Sequence, residues 1–434
     1  MPGQRAGGAG YGGAVKVVVI GSGVVGLCCA YELSRAGADV CVLERGRLGQ
    51  GASRGNTGWV CPSFTYPLPA PGIIGEGLRG MLRGGGPLVI HPSLDPTFLR
   101  WLLGFRRSAT RERWEQGVRA LLALNARTLE LFDVYADGGI RFEMHRSGLL
   151  LVATTPAGLA SYTHVFRQLR SIGFAGETVE LGPDDARALE PELAAGGLAG
   201  GVRAVIDRYV RPESLTNGLS AHLQAHGVEL REEIEVLDIA AANGGIHITT
   251  GAGPVEADRV VVAAGATSSP LLARLGVRMP LVGARGYSVT FAGGDTRPRH
   301  ALYLAEAKIG ISSYDDTVRI AGVFELGSSS DRVDRRRLAG MLSTVDPYFE
   351  DWRPGAQPAL LEWAGLRPMT ADGLPLIGRA PALDNAYVAT GHGMLGVTLA
   401  PATAALLAPL VLEGRGAPEL LPFDPARGLY RGRG

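Results

Sequence analysis

Val15–Ile20 (VKVVVI) is an almost unbroken β-branched run, and the hexapeptide GSGVVG follows it at once. An apolar-periodic stretch comes next, Leu27–Ala36, stopped by Gly37; a second β-run, Asp39–Leu43, ends at Glu44. A short apolar run bounded by glycine suits a buried strand, and a period near 3.6 suits a helix, so the order reads strand, glycine turn, helix, strand. Residues 45–100 are rich in Gly, Pro and Arg with little periodicity, which predicts loops and short helices. Helical spacing runs from Phe98 to Val134 and returns at Ser161–Ile172, Pro183–Glu190 and Pro212–His226, with a strand at Ser147–Ala153. Val260–Ala264 is another buried strand, closed by Gly265. Beyond Pro280 the alternating runs Tyr287–Phe291, Lys308–Ser312 and Val318–Val323 predict an antiparallel sheet. The last hundred residues return to strand, glycine turn and long helix.

This order predicts an α/β chain, α+β overall: a Rossmann-like nucleotide-binding domain with an inserted antiparallel-sheet substrate domain. Residues 1–14 are a flexible lead-in; 15–105, 205–283 and 360–434 build the discontinuous nucleotide domain; 106–204 and 284–359 build the substrate domain. The cleft between two such domains is where a small-molecule site is expected.

Composition narrows the function. With 46% apolar and 20% charged residues the chain is neither disordered nor a coiled coil. Its net charge of +1, without a basic block, argues against a nucleic-acid partner. Lysine is confined to Lys16 and Lys308, which makes Schiff-base chemistry a poor expectation. The cysteines Cys28, Cys29, Cys41 and Cys61 form no C-x-x-C and read as small apolar residues of a reducing, cytoplasmic compartment. No metal site is expected: His222 and His226 share a helix face without a third ligand. Met394–Leu412 carries no charge for 19 residues, yet Pro401 and Pro409 lie within it, and a buried helix is expected rather than a membrane span.

The chemistry starts at Gly21-Ser22-Gly23-Val24-Val25-Gly26, a G-x-G-x-x-G turn between a strand and a helix. Gly21 makes the turn, Gly23 admits a pyrophosphate and Gly26 lets helix and strand approach. Glu44, 23 residues after Gly21, ends the next strand, where a carboxylate accepts from both ribose hydroxyls; this favours FAD or NAD over NADP. Val25 in the turn and Arg45 beside Glu44 belong to the same contact surface. Two further small-residue segments favour flavin: Gly51–Gly58, a loop able to wrap a ring system, and Gly391–Thr398, a second glycine-rich helix start.

These segments resemble the FAD-dependent D-amino-acid oxidase superfamily, and within it the bacterial D-amino-acid dehydrogenases, with glycine oxidase a close relation. The resemblance spans Val15 to about Leu412 and is carried by VVVIGSGVVGL, ASRGNTG, VVVAAG, GYSVTF and above all the pair WAGLRPMTADG and TGHGMLGVT. It implies non-covalent FAD, because no cysteine follows Cys61. It places Ser53, Asn56, Thr57 and Gly58 against the flavin, Val236 on adenine, and Gly265 near the dinucleotide. Gly393, Met394, Leu395, Gly396 and Thr398 fall at the flavin's pyrimidine edge, and Arg367 on the substrate carboxylate. Met394 stands where glycine oxidase-like sequences carry arginine, which points to the dehydrogenase branch. Tyr287 is a candidate to line the cleft; His392, between two glycines, is expected to be structural rather than a base.

The resemblance implies oxidative deamination of a D-amino acid by hydride transfer from Cα to flavin N5, with electrons passed to a quinone-type acceptor. A cyclic or N-methyl imino acid dehydrogenase, or a tailoring amine oxidase, shares every motif, and a non-enzymatic flavin subunit is the third reading. Residues 73–107 mix Leu, Ile, Phe and Trp101 with five arginines, a pattern that suits peripheral contact with an anionic membrane.

Overall fold

A continuous β-branched run is stable as a strand only when both of its faces are covered. Lys16–Ile20 meets this condition: Val17, Val18, Val19 and Ile20 are buried, and the strand pairs in parallel with Asp39–Leu43 on one side and Arg259–Val262 on the other. The computed structural model describes residues 14–428 apart from 74, 76–87, 243, 295, 296, 328 and 329; most of the N-terminal lead-in therefore lies outside the described residues. Six strands make this sheet, in the order Glu229–Arg231, Asp39–Leu43, Lys16–Ile20, Arg259–Val262, Ala386–Thr390 and Leu376–Arg379. Only the last runs antiparallel to its neighbour.

Helix Val24–Arg35 covers one face and packs against helices Gly396–Glu413 and Pro212–Ala225. A three-stranded meander, Val236–Ala242, Gly245–Thr250 and Gly253–Ala257, covers the other, with Ile239, Ile246 and Ile248 packed with Val18 and Val260. The uncharged run near the C-terminus is thus a core helix. Gly396–Glu413 has the length and apolarity to cross a membrane, and it buries Val397, Leu399, Leu407 and Val411 in the same cluster as Val17 and Leu27. All four cysteines are buried free thiols, and burial pushes Cys29 and Cys41 up to about 12.

The second layer is a nine-stranded sheet built around the hairpin-like set Ala359–Thr370, Leu281–Ala292, Thr317–Leu326, Ile309–Ser313 and Ala301–Leu304. Leu149–Ala153, Gly200–Ala204 and Thr178–Leu181 extend it, and Leu88–Ile90 joins Thr317–Leu326. It is antiparallel except where Ala301–Leu304 meets Leu149–Ala153 and where Leu88–Ile90 adds.

The expected domain boundaries need correction in three places. Ala359–Thr370 belongs to the large sheet, so the chain rejoins the parallel sheet at Leu376, after residue 360. Leu88–Ile90, placed with the nucleotide domain, also joins the large sheet. Helices Arg111–Asn125 and Thr128–Asp137, placed with the substrate domain, bury Leu121, Leu124, Phe132 and Tyr135 in the core of the parallel sheet. Helical periodicity says which face of a helix is apolar and not which sheet that face will cover.

Within 73–107, residues 74 and 76–87 lie outside the described residues. The rest includes strand Leu88–Ile90 and helix Pro96–Ser108, started by Asp95, whose carboxylate accepts the Thr97 N–H at 2.7 Å. Trp101 is fully buried and donates its indole N–H to the Met369 carbonyl at 2.9 Å, so it is a core residue rather than an interfacial one. Leu99, Leu103, Arg100 and Arg106 remain on the exposed side.

Candidate active site

A cavity of about 740 Å³ opens between the carboxyl ends of the parallel strands and the large sheet. Its floor is the glycine turn. Gly21 sits at φ +103°, where a Cβ would lie 2.7 Å from the Ala263 carbonyl oxygen, and a Cβ on Gly26 would overlap the Gly21 carbonyl. Both positions are glycine because the protein's own backbone fills the space. Gly23 differs: its nearest neighbour would be the Ser53 hydroxyl at 3.4 Å, so the room beside it is cavity, left for a ligand. Gly23 also starts the helix as a cap residue with no side chain to bond its amides, leaving first-turn N–H groups beside Val25, which lines the cavity. The Val24 N–H donates to Ser53 Oγ at 3.0 Å.

Glu44 stands at the cavity edge with Arg45. Its carboxylate accepts from the Ser22 N–H (2.9 Å), the Ser22 hydroxyl (2.8 Å) and the Gly46 N–H (2.9 Å), which fixes its direction. Val236, Gly265, Ser53, Asn56, Gly393 and Gly396 complete the predicted residues that line the same cavity. A glycine turn with room only at its middle glycine, an uncapped helix start and an oriented carboxylate together fit an adenine dinucleotide.

The far wall is the strand Ala359–Thr370, through Trp363, Gly365 and Leu366. Gly365 pairs directly with Gly286 of the neighbouring strand. A Cβ on Gly365 would collide with the Trp363 indole, and one on Gly286 with the Arg367 guanidinium, so both side chains lie on one face of the sheet, over glycines. Arg367 donates to the Val323 carbonyl at 3.0 Å and lies 5.7 Å from the Phe324 ring. Among the described residues no carboxylate pairs with it, and burial lowers it to about 10. Tyr287, expected to line the cleft, projects to the opposite face. Its hydroxyl donates to the buried Glu325 at 3.1 Å, and it packs with Val289, Phe291, Leu338 and Met341. That expectation is corrected: Tyr287 does not line the cavity, and strand alternation sends it to the face opposite Gly286 and the Arg367 guanidinium. His392 is buried, shares a hydrogen bond with Thr403 (3.0 Å), and is held by desolvation at about 3. It is neutral at physiological pH and acts as a structural partner.

The sequence profile of the DAO family, described as FAD dependent oxidoreductase, matches residues 16–410. The chain belongs to this family. It is 33% identical over 417 residues to a D-amino acid dehydrogenase of Cereibacter sphaeroides, covering 94% of each chain. A D-amino acid dehydrogenase 2 of Ralstonia nicotianae is 32% identical over 432 residues, covering 95% of this chain and all of that one. Among solved structures, glycine oxidase from Geobacillus kaustophilus superposes with a TM-score of 0.73 at 24% identity, covering 97% of this chain and 100% of its own, which speaks for the fold. The protein is therefore an FAD-dependent amino-acid dehydrogenase or oxidase.

In this DAO-family protein the remaining predicted residues shape the site from behind the cavity wall. Gly58, at φ +73°, presses on the Val210 carbonyl. Thr398 donates its hydroxyl to the Trp59 carbonyl at 2.9 Å and accepts the Cys61 N–H, fastening the late helix to strand Trp59–Val60. Met394 is half-exposed, and it and Leu395 lie in the turn before that helix without lining the cavity. Thr57 contributes its carbonyl, which accepts from Ser312 (2.8 Å) and Tyr314 (2.9 Å) of the large sheet. Trp363 and Arg319 were not singled out from sequence. The signal for Arg319 was available: an arginine inside the otherwise apolar strand TVRIAGVF needs a buried partner.

Proposed function

We propose that the protein oxidises a D-amino acid to its 2-oxo acid and ammonia and delivers the electrons to a quinone-type acceptor. The observation that carries this reading is Arg367, a desolvated cation without a carboxylate partner among the described residues, on the strand whose neighbouring residues Trp363, Gly365, Leu366 and Pro368 line the cavity. A planar fork of that kind takes a carboxylate in bidentate fashion, which fixes Cα relative to the cavity. Bound FAD supplies a two-electron acceptor for the hydride leaving Cα, and water converts the resulting imine to 2-oxo acid and ammonia. The chain's own part is placement. Gly21, Gly23 and Glu44 hold the dinucleotide, Arg367 holds the substrate, and Trp363 forms part of the cavity's far wall. His392, neutral by burial, takes no proton, so the amine enters as the free base. Curated relatives named D-amino acid dehydrogenase, at about a third identity over almost the whole chain, support the stereochemistry and the dehydrogenase mode. Anaerobic addition of D-, L- and imino acids to the FAD-loaded protein tests the reading: bleaching is expected with a D-amino acid, and bleaching only with L- or imino acids would overturn it.

A further inference from the structure

We infer that Arg319 is a positioning residue that aims two backbone amides of the loop 51–58 at the FAD site. Arg319 is 1% exposed, on strand Thr317–Leu326 of the large sheet. Its Nη1 donates to the carbonyls of Arg54 (2.8 Å) and Asn56 (3.0 Å), its Nη2 to Glu213 and its Nε to the Thr290 hydroxyl (3.0 Å). Tyr314, 5.5 Å from the guanidinium, donates to the Thr57 carbonyl, as Ser312 does. Three loop carbonyls are thereby drawn towards the sheet. Every described peptide bond is trans, and a trans peptide points its N–H opposite to its C=O, so the amides of Gly55, Thr57 and Gly58 point away from Arg319. The Gly58 amide is taken by Asn56 Oδ1 at 2.6 Å. Those of Gly55 and Thr57 have no acceptor among the described residues. The same loop lines the cavity through Gly51, Ala52, Ser53 and Asn56, whereas Arg319 does not.

Two neighbouring free amides form a receptor for a carbonyl oxygen or for negative charge. Arg319 thus acts on the flavin through the loop, without touching it. Sheet, loop and helix Pro212–Ala225 meet at this one guanidinium, because Glu213 lies in the first turn of that helix. The inference rests on FAD occupying this cavity, and a wild-type protein that binds no FAD would contradict that premise rather than the role of Arg319.

Full-length Arg319→Met and Arg319→Lys test it, by FAD titration, flavin midpoint potential, visible circular dichroism and the melting temperature of the apoprotein. Loss of a charge-assisted hydrogen bond predicts an FAD dissociation constant raised about tenfold or more in Arg319→Met. A midpoint potential lower than wild type is expected with it, since the amides favour the electron-rich form of the flavin. Arg319→Lys keeps the charge beside Glu213 and is expected to fold, yet to recover only part of both values, because a point charge cannot hold two carbonyls and a carboxylate in one plane. Wild-type affinity and potential in Arg319→Lys would overturn the inference. So would a loss of affinity that tracks apoprotein melting while potential and circular dichroism of the bound flavin stay unchanged.

Discussion

Arg367→Met removes a guanidinium that the fold keeps desolvated over Gly286, and the consequence can be sized from the structure. Lowering an arginine from 12.5 to about 10 corresponds to about 3 kcal/mol of lost solvation. A substrate carboxylate would offset this when it docks. Truncating one member of such a pair costs about 2–5 kcal/mol, or roughly 30-fold to several-thousand-fold in kcat/KM. The flavin should stay, because Arg367 is not among the residues that line the dinucleotide cavity. Arg367→Lys should restore only part of the loss. Gly286→Ala provides an independent perturbation: its Cβ would occupy the position of the guanidinium, so the charge remains and its place is lost. The assay is the anaerobic reductive half-reaction, which separates substrate affinity from the rate of flavin reduction at constant FAD content. Near-normal affinity and rate in Arg367→Met on a carboxylate substrate, with a lowered melting temperature, would assign Arg367 to structure and refute the reasoning.

Gly23→Ala should leave apoprotein melting unchanged and weaken FAD, since the added methyl meets only cavity; Gly26→Ala should damage both, since the methyl strikes the Gly21 carbonyl. Burial pushes the Asp207 carboxyl, bonded to Ser63, from 3.8 up to about 7. A raised acid holds its proton more tightly when folded, so its contribution is fully present below about pH 4 and is lost as pH rises through 7. Asp207→Asn should then match wild type in acid and gain up to about 4 kcal/mol at pH 8, read as a pH-dependent difference in thermal unfolding. Turnover should be slow with oxygen and faster with a quinone analogue, and the exposed Leu99, Leu103, Arg100 and Arg106 should give salt-sensitive binding to anionic vesicles. Peroxide formed as fast as the best artificial acceptor is reduced, with no vesicle binding at low salt, would contradict both expectations.

The glycine turn and Glu44 were legible because their roles are local: strand, turn and helix follow one another within thirty residues, and steric rules fix each glycine. Arg367 was singled out by its motif alone, and the structure adds that Gly286 on the adjacent strand leaves room for its guanidinium. Tyr287 was not. Leu281–Ala292 is buried on both faces, with Tyr287, Val289 and Phe291 on one and Ser288 and Thr290 on the other, so alternation alone could not say which face meets the cavity. A bulge between Arg285 and Tyr287 shifts the register towards Thr317–Leu326 as well. Helices Arg111–Asn125 and Thr128–Asp137 were legible as helices and not as part of the parallel-sheet core, because their partners lie far away in sequence. Arg319 escaped notice for the same reason: Arg54 and Asn56, whose carbonyls it holds, are some 260 residues away.

The most direct measurement is an anaerobic titration of the FAD-loaded protein with a D-amino acid and with its L-enantiomer, followed by visible absorption and by assay of 2-oxo acid and ammonia. The account predicts bleaching by the D-enantiomer, with one 2-oxo acid and one ammonia formed per flavin reduced, and an unchanged spectrum with the L-enantiomer. Bound FAD that no D-amino acid reduces, or that the L-enantiomer reduces equally well, would contradict it.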